Sequence, residues 1–578
     1  MRIKHFFGLA VIAAMTASCS SNNDLVGGGN GNGENTNETT VGYAAFNINL
    51  PSVSGTRAEG DPVFDEGDAN EYDVNNATLL IFKAPTSTTT TTTENDYTFV
   101  ESVDLGSMEP WTKDGGDNDG ITTKAKIVAK LNKIKTGEQL YALVILNNKE
   151  KDGTTKVTLP TEGEKYSVWN ENESNVNATK FQNNGNGFYM ANAPLFDKTN
   201  KTVTTLAKID LNKVYLTEAK AAASVGNDVY VERGVAKVTL GTATSANKTV
   251  DVGTTYAGDQ VKISSWGLDV TNLKTFPVHK ADGTGYNDIW DYTLTASAKN
   301  GATTKRFADQ TSAIKRVYWG VDPNYNIDDL SDKTKTALRN QHFHYIASNE
   351  LSTHLDKAQY CLENTFNLAN MMQGQTTRVV FKGKYTPTSI TADADGTFYK
   401  IGKNVALWSS TTLAEQIKAA VTKVVEQAST SNTTINVDNL KTAGSHLLTA
   451  DNITVTGYTL TPEDVQAVNN KLGLSKEYGI STFAGGETYY IARVKHFGDV
   501  LTPWNATNER YGTDNLSFLG RYGMLRNNWY VLTVEKVSGP GYPDVPEVKP
   551  DTPDDDDEYI SVSVKVLDWA KRSQSVDL

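Results

Sequence analysis

Short apolar runs alternating with Gly, Asn, Asp and Thr-rich stretches recur along most of the chain. Near the N-terminus, Ala44, Phe46, Ile48 and Leu50 alternate with Ala45, Asn47 and Asn49, and Pro51 ends the run. A period of two places the first set on one face of a half-buried strand. Ala77 to Phe82 reads as a buried strand, Tyr141 to Asn147 as a central one and Phe188 to Met190 as a shorter one. Val231 to Leu240 alternates and marks the expected domain junction. The second half continues with Val261 to Ser264, Arg378 to Phe381, Tyr489 to Val494 and Trp529 to Val534. Two helices interrupt it. Leu413, Ile417, Val421 and Val424 fall on one helical face behind Thr411 or Thr412 as a cap, and Thr461-Pro462 opens a second helix that Gly473 stops. There is no fixed-period repeat. The pattern predicts a mainly β fold with a few helices, arranged as two β-sandwich domains.

The two ends differ from this body. Ile560, Val562, Val564 and Val566 alternate with Ser561, Ser563 and Lys565 in a last strand, Tyr559 to Trp569. Before it runs a tether with five prolines between residues 540 and 553 and the acidic run Asp554 to Glu558. Such a segment favours extended conformations and, at about 3.1 Å per residue, reaches on the order of 60 Å. It is expected to hang free and to offer its strand to another molecule's sheet edge. At the other end, Arg2 and Lys4 precede an apolar run from Phe6 to Met15 that is too short to span a bilayer. Thr16-Ala17-Ser18-Cys19 follows, which resembles a lipoprotein lipobox, with Thr16 where that motif usually has Leu. Residues 20–40 form a polar spacer, and Arg57 lies in a Ser/Gly segment after the first strand, a good protease target.

Composition narrows the function. The 578 residues are 38% hydrophobic with 26 Tyr, which suits β-rich domains with real cores. A net charge of −13 argues against nucleic-acid binding. Cys361 is the only cysteine besides Cys19, so no intrachain disulfide framework exists. His342, His344 and His354 lack a carboxylate or Cys at ligand spacing and read as surface residues. Asp322, Asn324, Asn326 and Asp328 echo a calcium loop, but Ile327 and Lys333 stand where Gly and Glu are required. No nucleophile, phosphate-loop or zincin motif occurs, so neither an enzyme nor a cofactor is expected.

The tail sequence Tyr559 to Trp569, closing with Ser575-Val576-Asp577-Leu578, resembles the C-terminus of the fimbrillins of Bacteroidales (type V) pili, most of all the shaft subunit of short (minor) fimbriae. Arg526-Asn527-Asn528, Val231-Glu232-Arg233 with Val235-Ala236-Lys237, the strand ending at Asn147 and the Pro/Asp tether are also similar. The resemblance implies a signal peptide at 1–18, a lipidated propeptide at 19–57, transthyretin-like sandwiches at 58–230 and 231–538, a linker at 539–558 and a donor strand at 559–578. It implies lipidation (palmitate) at Cys19 and export to the outer membrane as a virulence-associated lipoprotein. An arginine-specific protease would then cut between Arg57 and Ala58. The cut removes the strand bearing Ala44, Phe46, Ile48 and Leu50, exposing roughly 5–8 kcal/mol of burial at about 1.5–3 for each large side chain. The donor strand of another copy, through Ile560, Val562, Val564, Val566 and Trp569, would refill the groove and extend an extracellular fimbrium. Other implied partners are anchor and tip subunits and host or bacterial surface ligands. A different class stays open: a surface lipoprotein, anchor, tip or glycan-binding, whose tail folds back on its own domain and which never polymerises.

Overall fold

The computed structural model describes residues 40–49, 71, 73–86, 92–106, 124–135, 137–181, 187–197, 202–251, 254–281, 317, 319–497, 502, 519–552 and 560–568. The first half supplies β1 (Thr40–Asn49), β2 (Ala77–Lys83), β3 (Thr98–Gly106), β4 (Lys124–Ile134), β5 (Leu140–Leu146), β6 (Met190–Asn192), β7 (Ala207–Lys208), β8 (Val214–Tyr215) and β9 (Asn227–Arg233). They join in the order β8-β1-β9-β6-β5-β2-β3, with β4 paired to β1 and β7 to β5. Strand β9 makes the join: Asn227 to Tyr230 run parallel to β1, and Val231 to Arg233 pair antiparallel with β6. Phe46, Ile48, Leu79, Ile81, Leu131, Val144 and Val229 meet in one core.

The expectation of a single alternating strand from Val231 to Leu240 is corrected. The strand breaks at Gly234, where a Cβ would lie 2.8 Å from the Phe181 ring. Positions 231–238 are all buried, because Val231 and Val235 enter the first core while Ala236 and Val238 enter a second. The second half contains β10 (Val235–Leu240), β11 (Lys248–Thr249), β12 (Gln260–Asp269), β13 (Gln359–Leu362), β14 (Arg378–Thr386), β15 (Glu487–Arg493), β16 (Asn528–Val537) and β17 (Ile560–Asp568). Two four-stranded sheets, β13-β10-β16-β17 and β11-β12-β14-β15, close on a shared core that includes Val238, Leu532 and Val534 from one and Ile263, Trp266, Phe381 and Tyr490 from the other. The fold is mainly β with few helices.

Between β14 and β15 the chain builds a smaller module with its own core. Its helices, Ser410–Val424 and Pro462–Lys471, bury Leu413, Ile417 and Val421 from the first and Val468 from the second. The first is capped by Ser409, not by Thr411 or Thr412: the Ser409 hydroxyl accepts from the Thr412 N–H, and the Thr412 hydroxyl accepts from the Ser409 N–H. That reciprocal pair satisfies two N-terminal donors at once. The second begins at Thr461-Pro462 and gives way to Gly473, which takes a positive φ of 70°.

A buried polar cluster ties the halves together. The Glu71 carboxylate meets the Lys237 ammonium at 2.6 Å and accepts from the Tyr360 hydroxyl at 2.7 Å. The Arg233 Nε donates to the Glu71 carbonyl at 3.2 Å, and the Arg233 N–H donates to Asn527 Oδ1 at 3.1 Å. Arg526 pairs with Glu363 at 3.2 Å, and His279 Nδ1 lies 2.7 Å from Glu232. Asn527 holds its side chain there by adopting a left-handed φ of 57°. Asn147 at the end of β5 has the same φ, and its amide bonds the backbone of Asp73, Asn75 and Phe188. Asparagine tolerates this region better than most residues. Removing one member of a satisfied buried ion pair leaves a charge with no counterpart. Lys237→Met is therefore expected to lower unfolding stability by about 3–5 kcal/mol, read by urea denaturation; a loss under about 1 kcal/mol would remove this pair from the structural role assigned to it.

Candidate assembly strands

Strand β1 is enclosed by backbone on both sides. Along one side it pairs antiparallel with β4 from Thr40↔Ile134 to Asn49↔Lys124. Along the other, Tyr43 and Ala44 pair antiparallel with β8, and Phe46 to Asn49 pair parallel with β9. Ala44, Phe46 and Ile48 are fully buried in the first core. Leu50, the fourth residue of the removable set, lies outside the described residues, as do Cys19, Arg57 and Ala58.

Strand β17 is placed differently. It pairs antiparallel with β16 of its own chain, from Asn528↔Asp568 to Val537↔Ile560, with an irregularity between Val534 and Lys536. It ends the strand order of its sheet. Val562 and Val564 are half-buried against the second core, and Val566 stands opposite Tyr530. Trp569 lies outside the described residues. The expectation of a free tail is thus corrected: the apolar face that suits another molecule's sheet also suits the open edge of β16. The two candidate strands lie in different sheets, and the fold does not bring them together.

The tether is also not a free leash over the part described. Tyr542 exchanges two backbone hydrogen bonds with Tyr489, each 2.8 Å. The Arg378 guanidinium donates to the Pro546 carbonyl at 2.5 Å, the Gln373 N–H to the Thr552 carbonyl at 2.9 Å, and Lys333 pairs with Asp551 at 2.9 Å. Tyr542 and Val545 pack on Val380 and Ile491, and Val548 packs near Val270 and Phe343. Sequence reading passed over this strap although a signal was present: Tyr542, Val545 and Val548 recur every third residue, the repeat of a polyproline helix. The acidic run Asp554 to Glu558 lies outside the described residues.

The expectation that the three histidines lie at the surface is corrected for His342, which is buried, whereas His344 is partly exposed and His354 exposed; Asp322 and Asn324 of the calcium-like loop are buried as well. His342 Nδ1 lies 2.7 Å from Asn324 Oδ1, and His344 Nε2 lies 3.4 Å from Glu350. Asp322 is buried, and its carboxylate accepts from Asn272 Nδ2 at 2.9 Å and the Thr365 N–H at 2.5 Å; burial pushes it up to about 7. Burial likewise pushes the Cys361 thiol up to about 12, so it packs as a small apolar group. Among the described residues no cluster of three or more metal-ligating side chains occurs, and no helix is long and apolar enough to cross a membrane.

The unequal burial of β1 and β17 has a measurable consequence. Phe46→Ala is expected to cost about 3–5 kcal/mol of stability. Val562→Ala and Val564→Ala, at half-buried sites, are expected to cost about 1 kcal/mol or less each. Equal costs in urea titrations would contradict the view that β1 is integral to its core while β17 rests on an edge.

No curated protein matches the chain in sequence. In structure it is similar to a candidate cell adhesion protein from Parabacteroides distasonis, at 12% identity and a TM-score of 0.37, covering 92% of this chain and 98% of that one. It is also similar to a candidate cell adhesion protein from Bacteroides eggerthii, at 11% identity and a TM-score of 0.29, over 91% and 96% of the two chains. A fimbrial assembly protein from Parabacteroides distasonis matches at 9% identity and a TM-score of 0.23, over 61% of this chain and 97% of that one. The family model for the C-terminal part of fimbrillin, the type IV major fimbrial subunit protein, matches residues 481–575. That segment runs from the end of the inserted module through β15, β16, the strap and β17, and over it the chain is similar to the C-terminal part of fimbrillins.

Proposed function

We propose that this fimbrial subunit polymerises by exchanging strands, with a structural rather than catalytic role. In this reading the chain is exported as a lipoprotein through Cys19 and cut between Arg57 and Ala58, and β1 departs with residues 19–57. Residues 560–568 of another copy take its place. The arrangement of β1 carries the reading. It is a strand with partners on both sides and three side chains fully inside the core, yet it is joined to the rest of its domain through the segment that contains Arg57. Its loss leaves two rows of unpaired backbone groups and an apolar slot, which a β-strand of matching alternation can satisfy. The strand β17 is a suitable source. Paired on one side and half-buried, it gains a second ladder and fuller burial by moving to such a slot. Because the contact is heterologous and does not close, it extends a filament.

A second reading has one observation in its favour. The tail is paired with β16 of its own chain, as expected of a surface lipoprotein, anchor or tip protein, that never polymerises. The N-terminal residue and oligomeric state of protein sheared from cells separate the two. The polymerising subunit gives an N-terminus at Ala58 and a ladder on gels run without boiling. A lipidated Cys19 on a lone monomer establishes the second reading instead.

A further inference from the structure

The slot occupied by β1 has a second wall that the departure of β1 would leave in place. Ala44, Phe46 and Ile48 face the core, so the period of two turns Tyr43, Ala45, Asn47 and Asn49 to the opposite face. That face is covered by residues 217–228. Thr217 caps the six-residue helix Glu218–Ala223, whose alanines let it lie close to β1 and β4. Ala45 and Ala221 are both fully buried. Lys126 of β4 ties down the end of this helix, its Nζ donating to the carbonyls of Ala222 at 2.8 Å and Ser224 at 2.6 Å. Asn227 accepts from the Asp210 N–H at 2.9 Å and donates its own Nδ2 to the Ala45 carbonyl at 3.1 Å. Every one of these groups except the Ala45 carbonyl lies beyond Arg57 in sequence. Asn227 thus presents a buried donor to whatever backbone fills the slot, and leaving it unpaired is unfavourable.

The covered face reads side chains as well. At the site of Tyr43 an aromatic ring fits while remaining half-buried. The site of Ala45 is fully enclosed and is filled by an alanine. At the site of Asn47 the side chain lies against Gly226, where a Cβ would come within 2.8 Å of Asn47 Oδ1, and its Nδ2 donates to the carboxylate of exposed Asp228 at 2.9 Å. The sequence of sites is therefore broad, small, then next to an anion. In the sequence of the C-terminal strand, Ser561, Ser563 and Lys565 alternate with the valines.

We infer that the slot accepts the C-terminal strand of a second copy in one register, running in the direction of β1, with Ser563 at the site of Ala45 and Lys565 at the site of Asn47 beside Asp228. This rests on the polymerisation reading above. Val562 then replaces the smaller Ala44 while Val564 and Val566 replace the larger Phe46 and Ile48 of the same core, so the inward set keeps a similar total volume, and Ser561 falls at the broad site of Tyr43. A shift by two residues keeps the valines inward and a serine at the small site, but moves the lysine past Asp228. A shift by one turns the apolar set outward.

The test uses the full chain, cut by an arginine-specific protease and followed by light scattering and unboiled gels, each variant first matched to wild type in its unfolding before cleavage. Wild type is expected to form oligomers after cleavage; if it stays monomeric, the polymerisation reading itself fails. Given wild-type assembly, Ser563→Trp is expected to abolish oligomers while Ser561→Trp retains them. The reverse pattern overturns the register, and assembly by both variants overturns the small-residue wall. Lys565→Glu is expected to slow assembly about twofold to fivefold at low salt, the range of an exposed ion pair, and Asp228→Lys in the same chain to restore it. Failure of that reversal to rescue also overturns the register.

Discussion

The first half of the molecule depends on the two-sided hydrogen bonding of β1. A strand on the edge of a sheet can leave with one ladder broken, but β1 is held by β4 on one flank and by β8 and β9 on the other. Without it, β4 has no partner among those pairings, the β8 and β9 backbones face an empty row, and the side of the core built on Phe46 and Ile48 opens. Unpaired buried backbone groups and exposed apolar surface both carry a free-energy cost. The cost need not prevent separation of the strand from its chain; it makes the vacated site demand a replacement of the same kind.

The C-terminal strand illustrates the opposite condition. Its cis pairing with β16 supplies one ladder and two half-buried valines. The same residues could satisfy a two-sided slot more fully, so occupancy of the edge and donation to a neighbour differ in degree of satisfaction rather than in the type of interaction. The strap between β16 and β17 matters here. Its contacts with Tyr489, Arg378, Gln373 and Lys333 belong to residues 542–552, before the acidic run, and none involves β16 or β17. Undocking the last strand therefore does not require breaking them.

The sequence made the strand pattern, both helices and the apolar faces of β1 and β17 legible because each rests on local periodicity, which one chain reports directly. The long-range placement of these elements was not legible in the same way. The split of Val231 to Leu240 at Gly234 arises from the Phe181 ring and from two separate cores, neither of which leaves a local mark. The tether misled for a related reason: proline and acidic residues describe what a segment does in solvent, whereas Tyr542, Val545 and Val548 find a surface already made by β14, β15 and their neighbours. The helix cap was a closer miss, decided by the reciprocal bond between Ser409 and Thr412.

Asn227 shows why the candidate slot was only half readable. The inner wall follows from alternation, since Phe46 and Ile48 must point at something apolar. The outer wall is made by a helix of six residues and two polar side chains separated from β1 by more than seventy positions. An amide aimed at a backbone carbonyl discriminates neither residue type nor chain of origin; it recognises only that a strand is present. Small size at Ala45 and a carboxylate near Asn47 add the selectivity that such an amide lacks. In the proposed assembly, affinity for any strand and preference for one register would thus be carried by different residues of the same wall, so that an empty slot would be both strongly receptive and selective.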